Sequence, residues 1–279
     1  MSLKTIVVHI DGTDRCSTRV ALAAQLALAY DAHLIGVAPT GWSPPVVMPG
    51  VSEPIVPAIP VDTGPARKQC MAALAAFEAQ ARRLGVQTVE TRLVEEEPGL
   101  ALAQHGLCSD LVVVGQTRGG GNAPAAWQDF PEWVMLNSPV PVLVVPARGE
   151  FATVGTRVAV AWNGSSEARR AIGTALPVLR KADKVHLVMV DADRKLIEAD
   201  AGPGADMGLY LMRHGVNVEV DVDITGGDTG AALVGASVDC GADLVVMGAY
   251  GRSRLREMLM GGATRAMLES MRVPVWMAH

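Results

Sequence analysis

At 279 residues the chain is long for one domain and sufficient for two, each able to bury its own core. With 49% hydrophobic and 19% charged residues it reads as globular, which excludes a disordered chain. A formal net charge of -5 argues against a general nucleic-acid binder, and no run of about 18 uninterrupted apolar residues suggests a membrane span.

Met1-Ser-Leu-Lys-Thr-Ile-Val-Val enters a strand at once and lacks a signal-peptide pattern, so a cytoplasmic location is expected. Strands are predicted over 4–10, 33–37, 86–93, 110–115 and 140–145, with helices over 16–31, 65–84, 98–108 and 130–137. Pro44 to Pro65, rich in Pro, Val and Gly, fits neither period and reads as an insertion that Trp42 anchors. After a short join, about Pro146 to Thr156, strands are predicted over 157–162, 185–190, 216–224, 243–248 and 274–278. Helices are predicted over 166–181, 205–214, 229–240 and 263–271. Cys16, Cys70, Cys108 and Cys240 show no CxxC and no metal spacing, which points to buried, reduced thiols. His9 and His186 lie inside apolar strands and His105 on a helix, and none has ligand spacing with an acid or Cys, so structural roles are expected.

The sequence repeats itself. Ser109-Asp-Leu-Val-Val-Val-Gly115 matches Ala242-Asp-Leu-Val-Val-Met-Gly248 at an offset of 133, and Val140-Pro-Val-Leu-Val-Val145 matches Val273-Pro-Val-Trp-Met-Ala278 at the same offset. Thr5-Ile-Val-Val-His-Ile-Asp11 matches Arg157-Val-Ala-Val-Ala-Trp-Asn163 at an offset of 152. The fold class that follows is α/β, with two tandem doubly wound domains over 1–148 and 149–279. Each is a five-stranded parallel sheet with helices on both faces. An antiparallel sheet, or one continuous sheet through both copies, would contradict the repeat. Ligands of such sheets bind beyond the strand ends where the strand order reverses, which would bring Asn163 and Gly248 together.

The strand signal Leu244–Met247 runs into Gly248 and Gly251, and nine residues later into Gly261-Gly262-Ala263-Thr264, which opens a helix. Unpaired N–H groups at such a glycine turn suit an anion. Arg252, Arg254, Arg256 and Arg265 lie in the same stretch, against the single acid Glu257. A solvated charged loop is the alternative reading of that cluster.

The spacing Gly248-x2-Gly251-x9-Gly261, with Val273-Pro-Val-Trp276 after it, resembles the nucleotide-binding signature of the universal stress protein family. Nucleotide-binding members place Ser or Thr directly after the third glycine. This chain has Gly262 there, while Thr264 keeps a hydroxyl two residues on. The resemblance covers both halves apart from the insertion. It implies a tandem stress-response protein that binds ATP or ADP, with Mg2+ as an accompanying ion, and acts as a ligand-responsive regulator. The nucleotide-binding residues it implies are Asn163, Gly248, Gly251, Arg252, Gly261, Gly262, Ala263 and Thr264. It further implies that the final strands pair, joining the halves as an internal pseudo-dimer and protecting their edges, with a further homodimer and other proteins as partners.

The first copy departs from the signature. Gln116-Thr-Arg118 follows Gly115, Gln128 takes the place of the third glycine, and the run Gly119–Gly121 reads as a loop tip, so no nucleotide is expected there. Asp11 ends the first strand where the family usually has an acid, and the second half has Asn163, which equally suits a turn or cap before Ser165-Ser166-Glu167. No GxSxG, HExxH or GxxxxGK[ST] occurs, so no catalytic residue is assigned. Two other readings stand beside the regulator: an interaction protein with a decayed site, and a slow ATPase or small-molecule transferase.

Overall fold

The computed structural model describes residues 2–41, 63–117, 130–190, 204–223, 229–250 and 262–279. In the first half the elements run β1 (Thr5–His9), α1 (Cys16–Tyr30), β2 (His33–Pro39), α2 (Gly64–Arg83), β3 (Val89–Val94), α3 (Pro98–Gly106), β4 (Leu111–Gly115), α4 (Phe130–Asn137) and β5 (Val142–Val145). The second half repeats them: β6 (Arg157–Ala161), α5 (Ser166–Leu179), β7 (Lys184–Val190), α6 (Ala205–Arg213), β8 (Val218–Asp223), α7 (Thr229–Asp239), β9 (Leu244–Gly248), α8 (Ala263–Ser270) and β10 (Val275–Ala278). Most of the Pro44–Pro65 insertion and all of Arg118–Asp129 lie outside the described residues.

The strand order is β3-β2-β1-β4-β5-β10-β9-β6-β7-β8. Within each half all pairs are parallel, and each half has the same order read outward from the seam. At the seam β5 and β10 pair antiparallel, Trp276 opposite Leu143. Two five-stranded parallel sheets are therefore present, yet they form one continuous sheet, which corrects the expectation that continuity would contradict a repeat. A twofold-like juxtaposition of two copies pairs their last strands antiparallel and satisfies two edges at once.

β3 and β8 begin later than predicted, at Val89 and Val218. Val86 and Val216 belong instead to the ends of the preceding helices. Gly85 and Gly215 adopt positive φ (99° and 78°), and the next N–H reaches five residues back, Val86 to the Ala81 carbonyl and Val216 to the Leu211 carbonyl. This glycine-capped helix end needs a left-handed residue, which glycine takes without a Cβ penalty. The Asp that precedes each Leu-Val-Val run also has a local reason. Asp110 Oδ2 accepts from the N–H groups of Lys4 and Thr5, and Asp243 Oδ1 from those of Gly155, Thr156 and Arg157, fixing the entry to β1 and β6.

Alternate residues of each strand feed opposite cores. Ile6, Val8, Leu111 and Val113 pack with Trp276 and with α1, α2, α5 and α6 on one face. Val7, Val112, Val245 and Met277 pack with α3, α4, α7 and α8 on the other. Both cores cross the seam. On the first face Tyr30 of α1 donates its hydroxyl to the Pro177 carbonyl of α5 (3.1 Å), and Lys181 lies 4.2 Å above the Tyr30 ring. Of the four thiols, Cys16, Cys70 and Cys240 are half-buried, but Cys108 is exposed, because it follows the last turn of α3 at the surface.

Candidate functional site

In each half the strand order reverses between the first and fourth strands, opening a crevice at their carboxyl ends. The first-half crevice is a cavity of about 400 Å³ lined by His9, Asp11, Arg15, Arg19, Gln116 and Phe130 among others. Asp11 ends in a tight turn, its Oδ1 accepting from the Thr13 N–H (3.0 Å) and hydroxyl (2.6 Å). One turn into α1, Arg19 is 2% exposed, donates Nε–H to the His9 carbonyl (2.7 Å) and sets Nη2 2.9 Å from Asp11 Oδ2. The Nη2–H is not aligned on that oxygen, so the contact is an ion pair more than a hydrogen bond. Its Nη1 takes up the space beside Gly115, where a Cβ would lie 2.6 Å away.

These charges decide the protonation of the cluster. Burial, then the Arg19 charge, pull His9 down to about 3 against the opposing pull of Asp11, so the imidazole is neutral. It lies 4.9 Å from the Phe130 ring. Burial pushes the Asp11 carboxyl up, but Arg19, His9 and the Thr13 bonds outweigh it and hold it below the ordinary value. The structure thus brings His9, a residue read as purely structural, into contact range of an acid (3.7 Å to Asp11), and adds Arg19, which sequence reasoning missed. The signal was present: Arg19 falls in the buried stripe that continues through Leu22, Ala23, Leu26 and Ala27.

The second-half crevice is built differently. The residue matching Arg19 at the 152 offset is Ala171, so this position of α5 brings no guanidinium to the floor. α5 approaches β9 directly instead: a Cβ on Gly248 would lie 2.4 Å from the Ala168 nitrogen. Gly248 is therefore required by packing of helix on strand, and the left-handed residue that redirects the chain is Tyr250 (φ 47°). Asn163 Oδ1 accepts from the Ser165 N–H (3.1 Å), the turn role anticipated for it and the counterpart of the Asp11 turn, while Ser165 caps α5 through the Ala168 N–H (3.1 Å).

Gly262 opens α8 in an extended conformation with no side-chain cap, as expected where a glycine replaces a hydroxyl residue, and its carbonyl accepts from Ala266 N–H (3.1 Å). Ala263 is the first helical residue, and the buried Thr264 accepts the Tyr250 N–H on its hydroxyl oxygen (3.2 Å). Asn163, Gly248, Gly262, Ala263 and Thr264 are thus grouped at the ends of β6 and β9. Gly251, Arg252 and Gly261, with Arg254 and Arg256, lie outside the described residues. Arg265 points along α8 to Glu269 (2.8 Å). Glu167, in the first turn of α5 beside Gly248, supplies an acid that the sequence reading did not assign. It is 8% exposed, and its Oε2 has no hydrogen-bond partner among the described residues. Burial pushes its carboxyl up, but its own N–H, Ser166, Arg170 and His279 outweigh that and hold it low.

Among the described residues no helix is long and apolar enough to cross a membrane, and no group of three or more His, Cys, Asp or Glu side chains could hold a metal. The chain is 30% identical over 145 residues to universal stress protein Slr1230 of Synechocystis sp., covering 52% of this chain and about half, 48%, of that relative's length. A solved universal stress protein from Archaeoglobus fulgidus matches 99% of this chain and 96% of its own at a TM-score of 0.76 and 15% identity. A putative universal stress protein from Pseudomonas aeruginosa matches 99% of this chain and 93% of its own at a TM-score of 0.60 and 16% identity. At those identities the two structures speak to the fold. The profile of the Universal stress protein family matches residues 2–146 and again 156–279, and with two copies of its fold joined through their final strands this chain belongs to that family.

Proposed function

We propose that the chain is a stress-response regulator that binds ATP or ADP in its second half, over 149–279, with the phosphates on the glycine loop between Gly248 and Thr264. The observation that carries the reading is the convergence of Asn163, Gly248 and the α8 opening Gly262–Thr264 at the β6–β9 switch point. A helix N-terminus there offers N–H groups and a positive dipole end to phosphate. Asn163, Gly251, Arg252 and Gly261 complete the proposed site, the arginine neutralising phosphate charge. Mg2+ would arrive with the nucleotide, held chiefly by phosphate oxygens, since Mg2+ keeps its waters and rarely takes an all-protein cage. Among the described residues, Asn163, Glu167 and Thr264 bring side-chain oxygens to this part of the fold.

First-half binding of the same ligand is not part of the proposal, because a buried Arg19–Asp11 pair fills the floor of that crevice. The second reading, a protein-interaction factor with a decayed site, is favoured by one feature, the uncapped Gly262. Isothermal calorimetry with ATP and ADP decides between them. Wild type should bind, and Gly251→Val, which sets a β-branched side chain where backbone meets phosphate, should abolish binding and spare the fold. Equal affinity in that variant removes the loop from the site; no binding by wild type, with no nucleotide released on denaturation, favours the interaction protein.

A further inference from the structure

Gln116 sits at the end of β4 in the first half, but its side chain serves the second. Its Nε2 donates to the Leu268 carbonyl (2.5 Å) and approaches the Glu269 carbonyl (3.4 Å), both in the last turn of α8. Its Oε1 accepts the Ala147 N–H (2.8 Å) just past β5. The two partners fix the orientation of the amide: turned over, it would set oxygen against carbonyl and N–H against N–H. The last carbonyls of a helix have no partner within it, so Gln116 caps α8 from the other half of the molecule.

The arrangement is one-sided. In the first half α4 closes locally, Asn137 donating its side-chain N–H to the Trp133 carbonyl (2.8 Å). The residue matching Gln116 at the 133 offset is Ala249, which repeats the backbone bond to the last strand but has no side chain to reach α4. α8 is eight residues, about 12 Å at 1.5 Å per residue, so it moves as one short rod. Gln116 holds one end. At the other, Thr264 holds Tyr250, the residue from which the glycine loop departs.

We propose that Gln116 is a positioning residue for the second-half ligand site, acting through α8, so that the first half completes a site it does not form. The inference rests on the nucleotide reading above. Its two arms can be separated chemically. Gln116→Glu keeps the acceptor for Ala147 but sets a carboxylate against the α8 carbonyls, at the negative end of the helix dipole. Gln116→Lys keeps a donor for those carbonyls and loses the Ala147 acceptor.

Hydrogen exchange of the full-length variants, with the α1 amides as an internal reference for global folding, should show about threefold to tenfold faster exchange over Ala266–Met271 in Gln116→Glu, the size of one ordinary hydrogen bond. Gln116→Lys should rescue wild-type exchange. ATP affinity by calorimetry should follow, weakened at least about threefold in Gln116→Glu and restored in Gln116→Lys. Unchanged exchange in Gln116→Glu overturns the proposal. So does a Gln116→Lys variant as fast as Gln116→Glu, or altered exchange with unaltered affinity. If wild type binds no nucleotide, the nucleotide reading falls and with it the site, while the exchange data still decide whether Gln116 holds α8. Should Gln116→Glu also loosen α1, Gln116→Met, which lacks the donor but adds no charge, replaces it.

Discussion

The Nη1 of Arg19 occupies the place that a β-carbon on Gly115 would need, 2.6 Å from it. At the matching glycine of the second half the obstacle is backbone: a Cβ on Gly248 would lie 2.4 Å from the Ala168 nitrogen. A side-chain tip can turn aside and a helix backbone cannot. Gly115→Ala should therefore cost about 1 kcal/mol and Gly248→Ala about 3 kcal/mol or more, the two ends of the overpacking range. Urea unfolding of both variants checks the order; equal costs would mean that Arg19 is as fixed as a helix.

Acid should weaken the fold through the first-half cluster. His9, buried and beside Arg19, binds its proton more weakly folded than unfolded, about 3 against 6.5. A base with a lowered folded pKa contributes nothing adverse above 6.5, and stability falls as pH drops from there toward 3. Asp11 acts lower down. Its carboxyl is held below 3.8, so its contribution is complete above that value and is lost as pH falls through the folded one. The urea midpoint should drop between about pH 7 and about pH 5 in wild type and drop less in His9→Gln. A flat wild-type profile over that interval would falsify the burial argument.

Asp11→Asn tests the ion pair itself. The substitution leaves the Arg19 charge buried without its anionic partner, its Nε–H still on the His9 carbonyl. Removing one partner of a buried pair costs about 3–5 kcal/mol, most of it the penalty of the stranded charge. The double variant Asp11→Asn, Arg19→Met should recover most of that loss, and thermal unfolding of the two proteins would show it.

The second-half site should respond to restored chemistry. Asn163→Asp returns an acid to the end of β6, and Gly262→Ser returns a hydroxyl at the start of α8. Together they should tighten ATP binding about tenfold, or about 1.4 kcal/mol, chiefly with Mg2+ present. Turnover by the unmodified protein should stay far below about 1 s⁻¹, because retention of phosphate by arginine supplies no oriented nucleophile. Calorimetry with and without Mg2+ and a phosphate-release assay report the two effects separately.

What the sequence made legible was what short-range pattern encodes. The alternation of Val-rich strands with amphipathic helices, and the repeated Asp-Leu-Val-Val motif, were enough to place ten strands in two parallel five-stranded units, while the pairing of the final strands followed from the family resemblance and is made here by β5 and β10. The misses lie where one residue serves two segments at once. Val86 and Val216 look like strand but close a helix. Gly248 also makes room for α5, a packing demand that the glycine spacing alone does not reveal. Arg19 carries a formal charge on an apolar stripe, and its partner Asp11 is eight residues away across a turn. Gln116 had no local signal, since its partners at Leu268 and Glu269 come from the far half of the chain.

The antiparallel seam between β5 and β10 has a consequence for how the two copies could diverge. Two identical chains meeting on a twofold axis must carry every residue twice, so a change that helps one subunit is imposed on the other. Here the meeting strands belong to one covalent chain, and their association is intramolecular at any protein concentration. Freed from that symmetry, position 116 can hold a glutamine while position 249 holds an alanine, and position 19 an arginine while position 171 holds an alanine. Joining the copies let the first-half crevice take a buried Arg19–Asp11 pair while the matching positions of the second half hold Ala171 and Asn163, a difference that no homodimer of either half could adopt.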